Sequence, residues 1–245
     1  MSDALLHIDK LGKRFGGFVA LDGIDLDVRA GERLGLIGPN GSGKSTLVNC
    51  ISGTLRNEAG TVRFDGQEMN GLPSFKRTRL GLARSFQLPR PFRSMTVQEN
   101  LRIPLLFTVN ARPGASLSES DIVARSNELL HLVGLEDKSL KRPRELTQIE
   151  MRKLELARAM AAEPKLLMAD EAMAGLSHSE VDDILALLHR LVEQGITIIL
   201  IEHIMRAVMA FSERLVVLVA GKKIADGLPQ EVIRTPEVER AYLGE

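Results

Sequence analysis

Gly38-Pro39-Asn40-Gly41-Ser42-Gly43-Lys44-Ser45 is the stretch from which the rest of the chain is read. It fits the pattern G-x-x-x-x-G-K-[ST], a loop built to hold phosphate. A β- or γ-phosphate must be wrapped by backbone N–H groups, and glycines let the backbone curl tightly enough to aim those groups inward. Lys44 adds a full cation, and the Ser45 hydroxyl is the kind that ligates Mg2+. The flanks agree. Arg33–Ile37 before the loop reads as a short apolar strand, and Lys44 to about Ser52 as an apolar helix. The phosphates would then lie at a helix N-terminus, where the dipole favours anions. The eight loop residues, with Thr46 in the first helical turn, are the candidate nucleotide-binding set.

A phosphate loop needs a second element to anchor magnesium. Leu166-Leu167-Met168-Ala169-Asp170-Glu171 supplies an apolar strand that delivers two carboxylates at its carboxyl end, the edge at which open α/β sheets bind ligands. Asp170 is the candidate Mg2+ ligand, beside Ser45. Glu171 is placed to orient or deprotonate an attacking water. A second buried strand, Thr197–Ile201, delivers Glu202-His203, so His203 is a candidate sensor of the γ-phosphate. His7, His131, His178 and His189 have no such setting. Gln87, in Arg84-Ser85-Phe86-Gln87-Leu88, stands where the α/β pattern gives way to helical spacing, and its amide could contact both metal and water.

Around these motifs the chain divides by period. Leu5–Asp9, Ile24–Val28 with alternating Asp25 and Asp27, and Thr61–Phe64 after the turn at 56–60 read as strands. Residues 88–165 hold helical patterns, among them Val97–Leu105 and Ile122–Val133, and no convincing strand. The α/β pattern then resumes with a helix through Val181–Val192, strands at Leu215–Val219 and Lys223–Ala225, and a short helix at Pro236–Leu243. The expected architecture is an α/β core from 1–87 and 166–245, with an N-terminal antiparallel β portion and an inserted helical lobe at 88–165, all within one domain.

Composition narrows the function. In 245 residues, 32 basic and 32 acidic side chains cancel, which gives no bulk electrostatic support to a nucleic-acid partner. The single cysteine, Cys50, excludes an internal disulfide and lies in an apolar helical run, as a packed core thiol would. The N-terminus lacks the basic-then-apolar pattern of a signal peptide. The longest apolar runs, Ile196–Ile201 and Leu215–Ala220, fall far short of the roughly 20 residues that cross a bilayer. Any membrane role is expected through a partner.

Taken in chain order, the phosphate loop, Gln87, the strand ending in Asp170-Glu171, and His203 resemble the ATP-binding-cassette (ABC) ATPases over essentially the whole chain. The resemblance implies a P-loop NTPase fold that binds ATP with Mg2+ between two cassettes and hydrolyses it. It also implies that Phe15, in Lys13-Arg14-Phe15-Gly16-Gly17, stacks on adenine. Phe15-Gly16-Gly17 with Ala20-Leu21, Ala174-Gly175-Leu176 and the ending Ala241-Tyr242-Leu243-Gly244-Glu245 look most like the ATPases of branched-chain amino-acid importers. Importers of urea or amides, and a soluble single-cassette protein such as an iron–sulfur assembly ATPase, are the alternatives. The implied partners are transmembrane permease subunits, a second ATPase subunit and, indirectly, a periplasmic solute-binding protein. The implied location is peripheral, on the cytoplasmic face of the inner membrane.

Two motifs depart from the family. Its signature, Leu-Ser-Gly-Gly-Gln, is replaced by Leu146-Thr147-Gln148-Ile149-Glu150, with both glycines gone and an acid at the end. Ser177 stands where an aspartate is usual. In the family's head-to-tail dimer a signature completes the partner's site, so Thr147, Gln148, Ile149 and Glu150 are expected to act in trans. The expected consequence is a different cassette as partner, with unequal hydrolysis at the two sites; the alternative is a homodimer in which Thr147 and a local backbone N–H suffice and both sites fire.

Overall fold

The computed structural model describes residues 4–86 and 89–243. β1 (Ala4–Phe15) and β2 (Phe18–Arg29) pair as an antiparallel hairpin, and β2 buries Ile24, Leu26 and Val28 while Asp25 and Asp27 face solvent. With β4 (Ala59–Phe64) and β5 (Gln67–Glu68) they form a sheet in the order β2-β1-β4-β5.

The second sheet is the frame of the molecule. β3 (Arg33–Ile37), β6 (Leu82–Ser85), β7 (Leu166–Asp170), β8 (Thr197–Ile201) and β9 (Arg214–Val219) run parallel, and β10 (Lys222–Gly227) closes one edge antiparallel to β9. The order is β10-β9-β3-β8-β7-β6. Every residue of β7 and β8 is buried, which is why these strands read as unbroken apolar runs: a parallel sheet is covered on both faces. One face packs on α1 (Lys44–Ser52) and the antiparallel sheet, through Leu34, Leu36, Met168 and Ile199 against Leu47, Val48 and Ile51. The other face, through Leu167, Ala169, Ile198 and Leu200, packs on α5 (Gln148–Met160), α6 (His178–Glu193) and α7 (Met205–Phe211). Cys50 lies in the first of these layers, and burial pushes its thiol up to about 11.

Between β6 and β7 come α3 (Val97–Pro104) and α4 (Glu119–Val133), followed by α5, and no strand occurs there among the described residues. Pro104 ends regular α geometry, because it has no N–H to give to the preceding turn. The chain continues as a π-helix over Leu105–Val109, closed by the Asn110 N–H on the Leu105 carbonyl at 3.0 Å. α2 (Ser74–Arg79) precedes β6, and α8 (Pro229–Val232) and α9 (Pro236–Leu243) follow β10. Among the described residues no helix is long and apolar enough to cross a membrane.

Candidate functional site

Because β8 lies between β3 and β7, three strand ends open side by side. They deliver the loop 38–43, Asp170-Glu171 and Glu202-His203 to one edge of the sheet. The loop's shape depends on two glycines. Gly38 has φ +154°, and a Cβ there would stand 2.2 Å from the Leu218 carbonyl oxygen; Gly43 has φ +104°, and its Cβ would meet the Ala20 carbonyl at 2.7 Å. Both contacts are with backbone that cannot yield, so only glycine fits. Gly43 is also the N-cap of α1, so no side chain caps that helix, and its first turn carries no acid. The loop is tied to the first hairpin through Gly221, whose N–H donates to the Ser42 carbonyl and whose carbonyl accepts the Asp22 N–H, both at 2.9 Å.

Lys44 Nζ donates to the carbonyls of Gly38 (2.6 Å) and Pro39 (3.1 Å). Burial pulls its pKa below the usual lysine range, and Glu171 and Asp170 oppose that shift. A cavity of about 240 Å3 opens here, lined by Phe15, Phe18, Asn40, Lys44, Thr46 and Glu171 among others. Phe15 and Phe18 are 50% and 63% exposed, two aromatic faces at the mouth of the cavity, with Lys13 Nζ 5.3 Å from the Phe15 ring centre. The buried Ser42 hydroxyl has no protein partner. An uncapped helix end, a cation and glycines held open by backbone make a cradle that fits a polyphosphate. The exposed Ser45 hydroxyl and the Asp170 carboxylate are hard oxygen donors that suit Mg2+.

Asp170 is buried at the end of β7, and its Oδ2 accepts from Arg84 Nη2 at 2.6 Å. Glu171 is held at φ +47°, in the left-handed region that non-glycine residues seldom adopt; such strain clusters at functional sites. Its N–H donates to the Ile201 carbonyl at 2.9 Å, which fixes the turn against the end of β8. Glu202 is 1% exposed. It accepts the N–H groups of Met173 (2.9 Å) and His203 (3.2 Å), so one carboxylate knits the exits of β7 and β8. Burial raises its pKa, against the pull of those two N–H groups. His203 points outward with its side chain 62% exposed, Nδ1 lying 3.7 Å from Glu202.

Gln87 lies outside the described residues. The segment flanking it is gripped by α5. The buried Glu155 carboxylate accepts the N–H groups of Phe86 and Arg90, and Arg158 Nη1 donates to the Arg90 carbonyl and to Glu155, both at 2.9 Å. The segment 147–150 does not line the cavity just described. Thr147 is the N-cap of α5: its Oγ1 accepts the Glu150 N–H at 3.4 Å, and Glu150 Oε2 accepts the Thr147 N–H at 2.8 Å, a reciprocal capping box. Gln148 Nε2 and Arg152 Nη2 donate to the Ala174 carbonyl at 3.4 and 3.0 Å, joining the start of α5 to the turn that follows Glu171. Ser177 likewise caps α6 with Glu180, a task that serine performs as well as aspartate.

Sequence reasoning passed over Phe18, Arg84, Arg152, Glu155 and Glu202. Arg152, Glu155 and Glu202 each place a charge among apolar neighbours, although the groups that each one binds cannot be read from the sequence.

A largely parallel sheet with a glycine-built phosphate loop on a central strand and paired carboxylates two strands away defines a P-loop nucleoside-triphosphatase cassette. Residues 21–174 match the family model described as ABC transporter. Over the full length of both chains, the protein is 38% identical to the high-affinity branched-chain amino acid transport ATP-binding protein BraF of Pseudomonas aeruginosa. It is 37% identical to the corresponding protein LivG of Escherichia coli strain K12, again over the whole of each chain. Among solved structures, the ADP conformation of an ATP-binding cassette of an ABC transporter superposes with a TM-score of 0.89 at 32% identity, covering all of both chains. A nucleotide-free cassette from an ABC transporter gives 0.87, also at 32% identity, over 99% of this chain. The chain belongs to the ABC transporter family, as one of its nucleotide-binding ATPase subunits.

Proposed function

We propose that this chain hydrolyses ATP·Mg2+ to drive an importer of branched-chain or related amino acids, seated on permease subunits at the cytoplasmic face of the membrane. The full-length likeness to BraF and LivG, both named for high-affinity branched-chain amino acid transport, supports the solute class. The observation that carries the chemistry is the convergence of Lys44 and Glu171 on one cavity, with Asp170 close enough to act on the lysine charge.

In this reading the loop N–H groups and Lys44 hold the β- and γ-phosphates, and Phe15, joined by Phe18, flanks the base. Ser45 and Asp170 hold Mg2+, which when bound supplies positive charge to the phosphate oxygens. Glu171 orients the attacking water and takes its proton, and His203 hydrogen-bonds the γ-phosphate. Gln87 reports the position of the lobe at 88–165 to the core made of 1–87 and 166–245. The permease docks in a groove of about 340 Å3 between α2, the π-helix and α5, where Phe75, Phe86, Phe92 and Phe107 lie open. Exposed aromatics gathered in one groove mark an interaction surface.

The partner cassette is a different chain, because the α5 N-terminus that would face its nucleotide is closed by Glu150. Reconstituted with its permease, binding protein and second ATPase, the transporter is expected to take up leucine in preference to urea. Glu171→Gln in this chain should keep ATP bound and lower turnover about 100- to 10,000-fold at its own site. The same change in the partner should remove little activity. Equal losses from the two substitutions would refute the asymmetry, and leucine-independent ATP turnover with no uptake would refute the solute class.

A further inference from the structure

The groove and the metal carboxylate are linked by a residue to which no function has been given. Arg84 stands on β6, opposite Met168 of β7 in the parallel register, so its side chain lies on the same face as Asp170, two residues further along. That offset is about 7 Å along the strand, and the long arginine side chain spans it. The guanidinium forks: Nη2 donates to Asp170 Oδ2 and Nη1 to Asn49 Oδ1, both at 2.6 Å. Asn49 lies on α1, one turn beyond Ser45. Arg84 therefore staples together the two elements that carry Ser45 and Asp170. The pair is withdrawn from water, with side chains 12% and 9% exposed, and the Phe86 ring lies 5.2 Å from the guanidinium carbon. Arg84 and Phe86 both line the open groove, and Glu155 holds the Phe86 N–H.

We infer that Arg84 is a positioning residue for the metal: it fixes the distance between the Ser45 and Asp170 ligands and aims the Asp170 carboxylate. The inference rests on the reading of Asp170 as the Mg2+ ligand. Hydrogen-bond partners behind a metal ligand set its orientation, and their loss typically weakens metal binding about 10- to 100-fold. A lysine in this position keeps the charge but has one donor nitrogen in place of a rigid planar fork, so it holds the carboxylate and Asn49 at a less fixed separation.

The test uses the purified subunit with ATP and Mn2+, the bound metal being followed by electron paramagnetic resonance. ATP affinity is also measured in EDTA. Arg84→Gln should lower Mn2+ affinity of the ATP complex about 10- to 100-fold and leave ATP affinity in EDTA unchanged. Arg84→Lys should recover part of the loss. Asn49→Ala, which frees one arm of the fork without touching Asp170, should shift Mn2+ affinity in the same direction by a few-fold. A merely structural role would lower thermal stability and leave metal affinity alone. Unchanged or tighter Mn2+ binding in Arg84→Gln overturns the inference. If that variant does not fold, unchanged Mn2+ binding in both Arg84→Lys and Asn49→Ala overturns it. Should the wild-type protein bind ATP but show no Mn2+ dependence that Asp170→Asn abolishes, the metal assignment itself fails, which is a separate result.

Discussion

Two helix N-termini in this molecule meet opposite requirements. α1 begins at Gly43 with no capping side chain and no acid in its first turn; α5 begins at Thr147 with a capping box closed by Glu150. The first leaves its N–H groups and its positive dipole end to a ligand, at the expense of local stability. The second closes a capping box, the Thr147 hydroxyl taking the Glu150 N–H and the Glu150 carboxylate the Thr147 N–H, and gains the roughly 1 kcal/mol that a good N-cap confers. A helix end serves either as an anion site or as a self-satisfied terminus, and the sequence says which: glycine and lysine at one, T-x-x-E at the other. This contrast is what gives the altered signature a physical meaning.

The largest expected effect lies at the open end. Lys44→Ala removes the cation that faces the phosphates. With charge-assisted hydrogen bonds at about 1.5–3 kcal/mol each, two lost contacts should weaken ATP binding by about 150- to 20,000-fold. Isothermal titration measures it, and retention of affinity would remove α1 from its role as the nucleotide cradle. A smaller effect tests the closed end directly. Opening α5 with Gln148→Gly, Ile149→Gly and Glu150→Gln should raise hydrolysis at the partner's site by about tenfold, the equivalent of roughly 1.4 kcal/mol, as read in a transporter whose own-site glutamate is Glu171→Gln. No gain would mean that Glu150 does not govern the partner's site. The smallest effect is on stability. Thr147→Ala should cost about 1 kcal/mol and lower Tm by about 2–4 °C for a chain of this size, with nucleotide affinity unchanged. A calorimetric scan separates this outcome from a neutral substitution.

Much of the frame could be read from local pattern alone. β3, β8, α1 and α9 begin where apolar runs, a phosphate loop and proline place them, since each signal lies within its own element. β6 is not legible, because Leu82-Ala83-Arg84-Ser85 shows no clean strand signal: the charge of Arg84 interrupts it at a half-buried position, and its partner Asp170 is 86 residues away. α3 was read one residue too long at its end, and Pro104 explains both the stop and the π-helix that follows. At the candidate site, the strand ends that carry the loop, Asp170-Glu171 and His203 can be read because each strand has its own apolar pattern. The clamps made by Glu155 and Glu202 cannot, because their partners are backbone N–H groups, which leave no mark on a sequence.

The aromatic groove has a consequence outside catalysis. Phe75, Phe86, Phe92 and Phe107 face water in the lone chain, at 41–65% exposure. With the permease seated there as proposed, copies made in excess of the permeases would carry this strip uncovered, a liability for self-association and for capture by chaperones and proteases. The cellular amount of this subunit would then follow the number of assembled permeases rather than its own rate of synthesis.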